Sequence, residues 1–138
     1  MDDGAWLARA VELALENVAA GGRPFGAIVA RDGEEIAAGV NRALRDGDPT
    51  AHAELLAIRE AARRLGSISL DGATVYASGE PCPMCRAAAE HAGASRLVFA
   101  AGSRIAVEAG LGSAGPAPPV EHVPVDGAER PFEAWLAR

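Results

Sequence analysis

The stretches His52-Ala53-Glu54 and Pro81-Cys82-Pro83-Met84-Cys85 carry most of the structural information in this sequence. Cys82 and Cys85 are two residues apart, a spacing that places both thiols on one side of the first turn of a helix. Prolines suit such a helix start, because the N–H that proline lacks is unpaired there anyway. The partial positive charge at a helix N-terminus favours the thiolate, which is the metal-binding form of cysteine. The second stretch therefore predicts a helix that begins with two metal ligands.

The first stretch can supply a third ligand. His52 is followed at helical spacing by Leu55, Leu56, Ile58, Arg59 and Ala62. This pattern places the His52 ring at the start of another helix. One imidazole and two thiolates make three protein ligands, the number that leaves the fourth position of a tetrahedral zinc open for water, as in catalytic sites. We therefore expect one Zn²⁺ per chain, bound by His52, Cys82 and Cys85.

Glu54 follows His52 by two residues and is not needed as a zinc ligand. Its carboxylate is predicted to be the catalytic group that accepts a proton from water, passes it to a ring nitrogen and then protonates a departing amino group. General acid–base help of this kind typically contributes about 10²–10⁴-fold in rate.

Two other interpretations of the cysteine pair have to be weighed. A lone C-x-x-C can be a redox-active dithiol or half of a structural zinc site. A structural site needs four ligands, and with two cysteines in the chain it would have to recruit histidines. A redox pair would leave His52-Ala53-Glu54 without a role. The combined pattern favours a catalytic zinc.

Composition indicates one globular domain, covering residues 1–138. All 13 basic side chains are arginine, and the net charge is −6. An acidic chain is poorly suited to nucleic acid, because phosphate contacts supply much of that affinity. The acidic start of the chain and the lack of a long apolar run predict neither a signal peptide nor a membrane span. Two cysteines, both assigned to metal, suit a reducing cytoplasm.

Hydrophobic periodicity divides the first part of the chain into a helix and a hairpin. Apolar residues recur at helical spacing near residues 4–20, and Gly21-Gly22 ends the pattern. Residues 25–30 form an apolar run typical of a buried strand. An Asp-Gly turn at 31–34 then leads to a returning strand over 35–40.

A polar loop is predicted over residues 42–50, before the helix that carries His52. The sequence then predicts a strand at 73–77, a helix at 82–92 and a strand at 96–101. This order implies a mixed sheet covered by helices on both faces. Both metal-binding segments would then begin helices at one edge of the sheet.

The C-terminal part of the chain is less regular. Residues 110–119 are rich in glycine and proline and indicate a flexible loop. Residues 120–125 are compatible with a further strand, and residues 131–137 predict a short amphipathic helix.

The pattern H-x-E…P-C-x-x-C is typical of zinc deaminases. Residues 21–101 resemble the cytidine deaminase superfamily, and within it the branch of guanine deaminases and tRNA-adenosine deaminases. The similar stretches are Gly22-Arg23-Pro24-Phe25-Gly26-Ala27, Gly39-Val40-Asn41-Arg42, Asp48-Pro49-Thr50-Ala51-His52-Ala53-Glu54 and Glu80-Pro81-Cys82-Pro83-Met84-Cys85. The resemblance implies a three-layer α/β/α fold with a mixed five-stranded sheet, one zinc per subunit and a homodimer.

The resemblance also assigns site residues. It implies that His52, Cys82 and Cys85 bind zinc and that Glu54 is the proton shuttle. Asn41 matches an asparagine that hydrogen-bonds the base. Phe25 matches a motif residue near the pocket, although it could equally be a core residue. The backbones of Ala53 and Glu80 are expected near the substrate or the zinc-bound water. The expected substrate contacts are therefore Asn41, Phe25, Ala53, Glu80, His91 and Ser113.

His91 and Ser113 are departures from the pattern of guanine deaminases. His91 stands where those enzymes carry a tryptophan, and Ser113 stands where they carry an acidic residue that reads the donor edge of guanine. His91 could contact substrate or simply lie on an amphipathic helix, and Ser113 could donate to substrate or simply belong to a Gly-rich loop.

The end of the chain, Pro131-Phe132-Glu133-Ala134-Trp135, resembles the tail of bacterial guanine deaminases, which closes the active site of the partner subunit. The resemblance therefore implies that residues 114–138 form such a tail.

The predicted activity is zinc-dependent hydrolytic deamination of a free nucleobase or similar amino-heterocycle, with guanine as the best single candidate. A nucleoside, cytosine-like or triazine substrate remains open. Deamination of adenosine in tRNA is a further alternative, against which the net charge of −6 and the absence of lysine argue. A non-catalytic zinc fold used for binding is the third alternative, but all three ligands and the glutamate are present.

Overall fold

A four-stranded sheet lies at the centre of this computed structural model, which describes residues 1–112 and 116–138. The elements in chain order are α1 (Asp3–Ala19), β1 (Gly26–Arg31), β2 (Glu34–Val40), α2 (Ala43–Asp46), α3 (Ala53–Leu65), β3 (Thr74–Gly79), α4 (Pro83–His91), β4 (Arg96–Ala101), α5 (Ser103–Glu108) and α6 (Arg130–Leu136). The strand order is β2-β1-β3-β4. Strand β1 pairs antiparallel with β2 and β3, whereas β3 and β4 are parallel. The prediction of a mixed α/β sheet is confirmed.

The prediction of a fifth strand is wrong for the described residues. Residues 120–125 are exposed and belong to no strand. Valines favour a strand only where the pleated surface packs against a neighbour, and Val120 and Val123 are 99% and 76% exposed. Within the described residues of one chain, these valines therefore have no neighbouring strand against which to pack.

The predicted hairpin between β1 and β2 is confirmed, including its turn. Asp32 and Gly33 have φ angles of 53° and 76°. A two-residue hairpin turn of type I′ needs positive φ at both central positions, which is why Asp-Gly is favoured there.

The two faces of the sheet bury separate cores. On one face, Ala27 and Val29 of β1 pack with α3 residues such as Ala57 and Ala61. On the other face, Ile28 of β1 packs with residues of α1 and with Tyr76 of β3. Alternate residues of β1 thus face opposite layers, so the predicted coverage by helices on both faces is confirmed.

Two glycines allow these alanine-rich helices to lie close to the sheet. A Cβ built on Gly39 of β2 would lie 2.8 Å from the Ala57 nitrogen and closer still to the Ala53 oxygen. On the other face, a Cβ on Gly26 would lie 2.5 Å from the Ala10 oxygen of α1. The first turn of α3, which follows His52 and contains Glu54, therefore rests directly on the backbone of β2.

We expect the Gly39→Ala substitution to lower the free energy of unfolding by about 1–3 kcal/mol, the usual cost of overpacking, and also to weaken zinc binding. The added methyl group pushes the start of α3 away from the sheet, and His52 moves with it. Urea denaturation and competition with a chelator measure the two effects. Gly26→Ala is the matched control, because it crowds α1, which carries no predicted ligand. Equal loss of zinc affinity in both variants would contradict this expectation.

Two short helices escaped the sequence prediction. Helix α2 lies inside the stretch predicted as a loop, where the Asn41 side-chain oxygen accepts a bond from the Ala43 nitrogen over 3.0 Å. Helix α5 lies in a stretch for which no element was predicted, and most of its residues are exposed. In the described part of the chain, no helix is both long and apolar enough to cross a membrane.

Candidate metal centre and active-site cavity

Three side chains from two helix starts converge on one point. The Nδ1 atom of His52 and the Sγ atoms of Cys82 and Cys85 all lie within 4.8 Å of one another. Nδ1 is 3.5 Å from each sulfur. Tetrahedral zinc with ordinary Zn–S and Zn–N bond lengths sets the S···N separation at about 3.5–3.6 Å. The three predicted ligands therefore fit a zinc ion, with Nδ1 as the ligand nitrogen.

Local backbone structure brings these ligands together. His52 and Cys82 are the N-cap residues of α3 and α4, and both have extended backbone angles. Neither side chain makes a capping hydrogen bond to its own helix, so each is available to point towards the other. Pro83 occupies the first helical position of α4, and Cys85 follows in the same turn, fully buried.

The electrostatics of the site favour a bound cation. Burial raises the pKa of the Cys85 thiol above its usual range, and the nearby Glu54 carboxylate raises it further. Burial is also the main reason why the pKa of Glu54 is raised, while Cys85 and other local hydrogen bonds oppose that shift. Acidic groups crowded in this way repel one another once ionised, and a divalent cation removes that cost. A buried carboxyl beside the ligands is a group that can accept a proton and return it.

His52 and Cys82 line a cavity of about 330 Å³, a size typical of small-molecule sites, whereas Cys85 is fully buried. It is lined by Arg23, Phe25, Asn41, His52, Glu54, Glu80, Pro81, Cys82, Pro83, Arg86, Ser103, Ala106, Val107, Leu111 and Gly112. Two of the predicted metal ligands (His52 and Cys82), the predicted acid–base residue and three of the predicted substrate contacts therefore share one concave surface. A larger open groove of about 660 Å³ beside α3 contains none of the three ligands or Glu54.

Asn41 is held so that its amide nitrogen remains available. The residue is 3% exposed, and its Oδ1 already accepts a bond from the Ala43 nitrogen. Its backbone oxygen accepts a 2.8 Å bond from the Asn17 side chain. The Nδ2 group of Asn41 is thus the part of the amide that can donate to a ligand in the cavity.

Phe25, Glu80 and Ala53 occupy different parts of the site. Phe25 is half-buried; it lines the cavity and packs against the core, with its ring over Gly79. The Glu80 carboxylate accepts bonds from the Arg86 guanidinium and the Ser103 nitrogen. Ala53 is fully buried at the start of α3.

The remaining two predicted contacts are His91 and Ser113. His91 ends α4 on the exposed surface, six residues beyond Cys85, and is absent from the described lining of the cavity. Its role as a substrate contact stays a prediction. Ser113 lies outside the described residues.

Sequence reasoning missed two contributors to the cavity. Helix α5 supplies part of the cavity wall through Ala106 and Val107. Because this helix has six residues and no buried face, its sequence shows no helical periodicity of apolar residues. Arg23 also lines the cavity. Arg23 belongs to the stretch Gly22-Arg23-Pro24-Phe25-Gly26-Ala27. Its position two residues before Phe25 is the signal from which its place in the cavity could have been predicted.

Three zinc-type ligands and a buried carboxylate beside one cavity of an α/β domain are the groups that a metal-dependent hydrolase uses. Comparison with known proteins agrees with that class. The model of the cytidine and deoxycytidylate deaminase zinc-binding region matches residues 1–101.

Several characterised relatives support the same assignment. The guanine deaminase of Bacillus subtilis strain 168 is 47% identical over 112 residues, which cover 80% of this chain and 72% of that protein. The tRNA-specific adenosine deaminase of Aquifex aeolicus is 44% identical over 78 residues, covering 56% of this chain and 52% of the relative. The crystal structure of guanine deaminase from Bacillus subtilis superposes with a TM-score of 0.92 at 41% identity, covering 100% of this chain and 96% of that one.

The chain belongs to the cytidine and deoxycytidylate deaminase family, since the match covers most of its length. It is accordingly a hydrolase that acts on C–N bonds.

Proposed function

We propose that this chain is a zinc-dependent guanine deaminase that hydrolyses the amino group of the free base to give xanthine and ammonia. The observation that carries the proposal is the cavity whose lining includes Glu54, Asn41 and the two ligands His52 and Cys82, with the buried third ligand Cys85 3.5 Å from His52 Nδ1. Similarity to a guanine deaminase over the whole chain supports the choice of substrate.

Each group in the cavity has a separate task in this reaction. Zinc held by His52, Cys82 and Cys85, one ion per chain, would lower the pKa of a coordinated water to about 7 and so supply a nucleophile near neutral pH. The Glu54 carboxylate accepts a proton from the attacking water. It passes this proton to the ring nitrogen, then takes the remaining proton from the added hydroxyl and gives it to the departing amino group, so that one water is consumed and one ammonia is released. Asn41 Nδ2 donates to an acceptor on the base and orients the ring.

The proposal predicts that the zinc-loaded protein releases ammonia from guanine much faster than from adenine, cytosine, guanosine, cytidine or an aminotriazine. A coupled ammonia assay across this panel, extended to an anticodon stem-loop of tRNA, measures the preference. If guanine were inert and another compound of the panel were turned over rapidly, guanine would be excluded as the substrate. The assignment of the protein as a deaminase would stand. Turnover of the stem-loop alone would favour the tRNA alternative.

We also propose that the chain forms a homodimer, in which residues 114–138 of one single-domain subunit cover the cavity of the other. Helix α6 exposes Phe132, Trp135 and Leu136 to the extent of 71%, 61% and 82%. An apolar groove of about 270 Å³ runs between α1 and α5 and shares Phe25 and Leu111 with the catalytic cavity. A second copy of α6 matches this groove in chemistry, since both surfaces are apolar.

Mixing two inactive variants tests the exchanged tail. Trp135→Ala impairs closure and Glu54→Gln impairs chemistry, so each homodimer is expected to have little activity. A mixed dimer keeps one intact cavity closed by one intact tail, and random re-association should restore about a quarter of the wild-type activity. Ile68→Ala, a change at an apolar residue that is 94% exposed and lies outside residues 114–138, is the control for the tail. Mixed samples no more active than the separate variants would exclude exchange.

Two consequences concern the setting of the enzyme. Cys82 and Cys85 are free thiols, and they must stay reduced to bind metal. We therefore place the protein in the cytoplasm, where it would act in purine metabolism.

A further inference from the structure

Arg23 places a guanidinium cation in the catalytic cavity. The side chain is half-buried and lines the cavity. The other arginine of the lining, Arg86, donates to Glu80 over 3.2 Å. Among residues 1–112 and 116–138, by contrast, the Arg23 side chain forms neither a hydrogen bond nor an ion pair with another side chain. A guanidinium that is partly withdrawn from water and lacks an acceptor is a group that gains from a ligand.

The backbone of Arg23 is fixed by the same side chain that fixes Asn41. Asn17, which is 4% exposed near the end of α1, donates through Nδ2 to the oxygens of Arg23 and Asn41, both over 2.8 Å. Gly22 leaves room for this amide, since a Cβ there would lie 2.5 Å from Asn17 Nδ2. Arg23 and Asn41, two hydrogen-bond donors in the cavity lining, are therefore positioned as a pair.

We infer that Arg23 is a specificity-determining residue that donates hydrogen bonds to the carbonyl edge of a 6-oxopurine. The inference deepens the proposed function and rests on it, because it takes the cavity to be the site of the base. Guanine presents adjacent acceptors at O6 and N7, which match the planar fork of a guanidinium. The cavity supplies one unengaged arginine and a volume suited to a base. Phosphate recognition usually draws on several such cations.

Binding of purine and hypoxanthine tests this assignment without turnover, because neither base carries an exocyclic amino group. Hypoxanthine has the 6-oxo group that purine lacks. The zinc-loaded wild-type protein is expected to bind hypoxanthine roughly 5- to 150-fold more tightly than purine, the usual range for one bidentate contact. Arg23→Met should reduce that preference to about twofold or less, while Arg23→Lys, which keeps the charge and loses the fork, should fall between them.

A control variant and a second measurement distinguish loss of this contact from a change in folding and from failure of the proposed function. Arg45→Met removes an exposed arginine outside the cavity lining and should leave the preference unchanged. In turnover, Arg23→Met should raise KM for guanine more than for 2-aminopurine, which has no 6-oxo group. The Asn17 bond is made to a backbone oxygen, so these substitutions leave it in place.

An unchanged preference for hypoxanthine in Arg23→Met would overturn the inference even if guanine is a good substrate. If Arg23→Met instead weakened only the binding of inorganic phosphate or guanosine monophosphate, Arg23 would be a phosphate-binding residue and the inference would also be wrong. If guanine were inert and Arg23→Met still lost the preference for hypoxanthine, guanine deamination would be refuted. Arg23 would nevertheless be supported as the residue that recognises a 6-oxo base.

Discussion

Replacing Glu54 by glutamine is expected to lower kcat by about 10²–10⁴-fold or more while zinc remains bound. Glutamine keeps the shape of the side chain, but its amide cannot accept and return a proton near neutral pH. Glu54 is 6% exposed and lines the cavity, yet it is not a member of the three-residue ligand cluster. The substitution therefore removes proton transfer and leaves the metal site intact.

Ammonia release and zinc content have to be measured on the same preparation. The matched control is Glu90→Gln, which makes the same chemical change at an exposed position of α4 and should keep full activity. A Glu54→Gln variant that still turns over within tenfold of the wild type would refute the assigned role. Loss of zinc along with activity would show that the carboxylate helps to hold the metal.

Cys85→Ser is expected to remove zinc and, with it, activity. The Cys85 sulfur is fully buried and lies 3.5 Å from His52 Nδ1, in a position where a serine hydroxyl is a much poorer ligand than a thiolate. Because metal binding contributes directly to folding free energy, the variant should also unfold at a lower temperature. Addition of a chelator should lower the Tm of the wild type and leave that of Cys85→Ser nearly unchanged.

The control for Cys85→Ser is Ala89→Ser, which places a hydroxyl on the buried face of the same helix. This control should be less stable but should retain zinc. If Cys85→Ser held one equivalent of zinc after dialysis against a chelator, Cys85 would not be a ligand.

Elements with strong local signals could be predicted from sequence alone. The Asp32-Gly33 turn fixes the first hairpin through its backbone angles, and His52 and Cys82 begin helices as their flanking patterns indicate. The cluster of His52, Cys82 and Cys85 was predicted correctly because each ligand lies at a helix start, where its direction depends on few residues.

Features that depend on tertiary contacts could not be predicted in this way. The valines between 120 and 125 have strand propensity, but the described chain offers them no neighbouring strand. His91 has a helical spacing compatible with either face, and the placement of α4 on the sheet decides which face is exposed. Asn17 reads as an ordinary helix residue until the loops carrying Arg23 and Asn41 are folded against it.

The uncapped starts of α3 and α4 have a consequence for the protein when metal is scarce. His52 and Cys82 occupy positions where a capping side chain would normally stabilise the first turn, and in the proposed metal centre both bind the ion instead. Removing the ion should therefore loosen these two turns before it unfolds the sheet. Amide hydrogen exchange would accelerate first in the opening residues of α3 and α4. The exchange rate of these residues would therefore report whether the metal is bound.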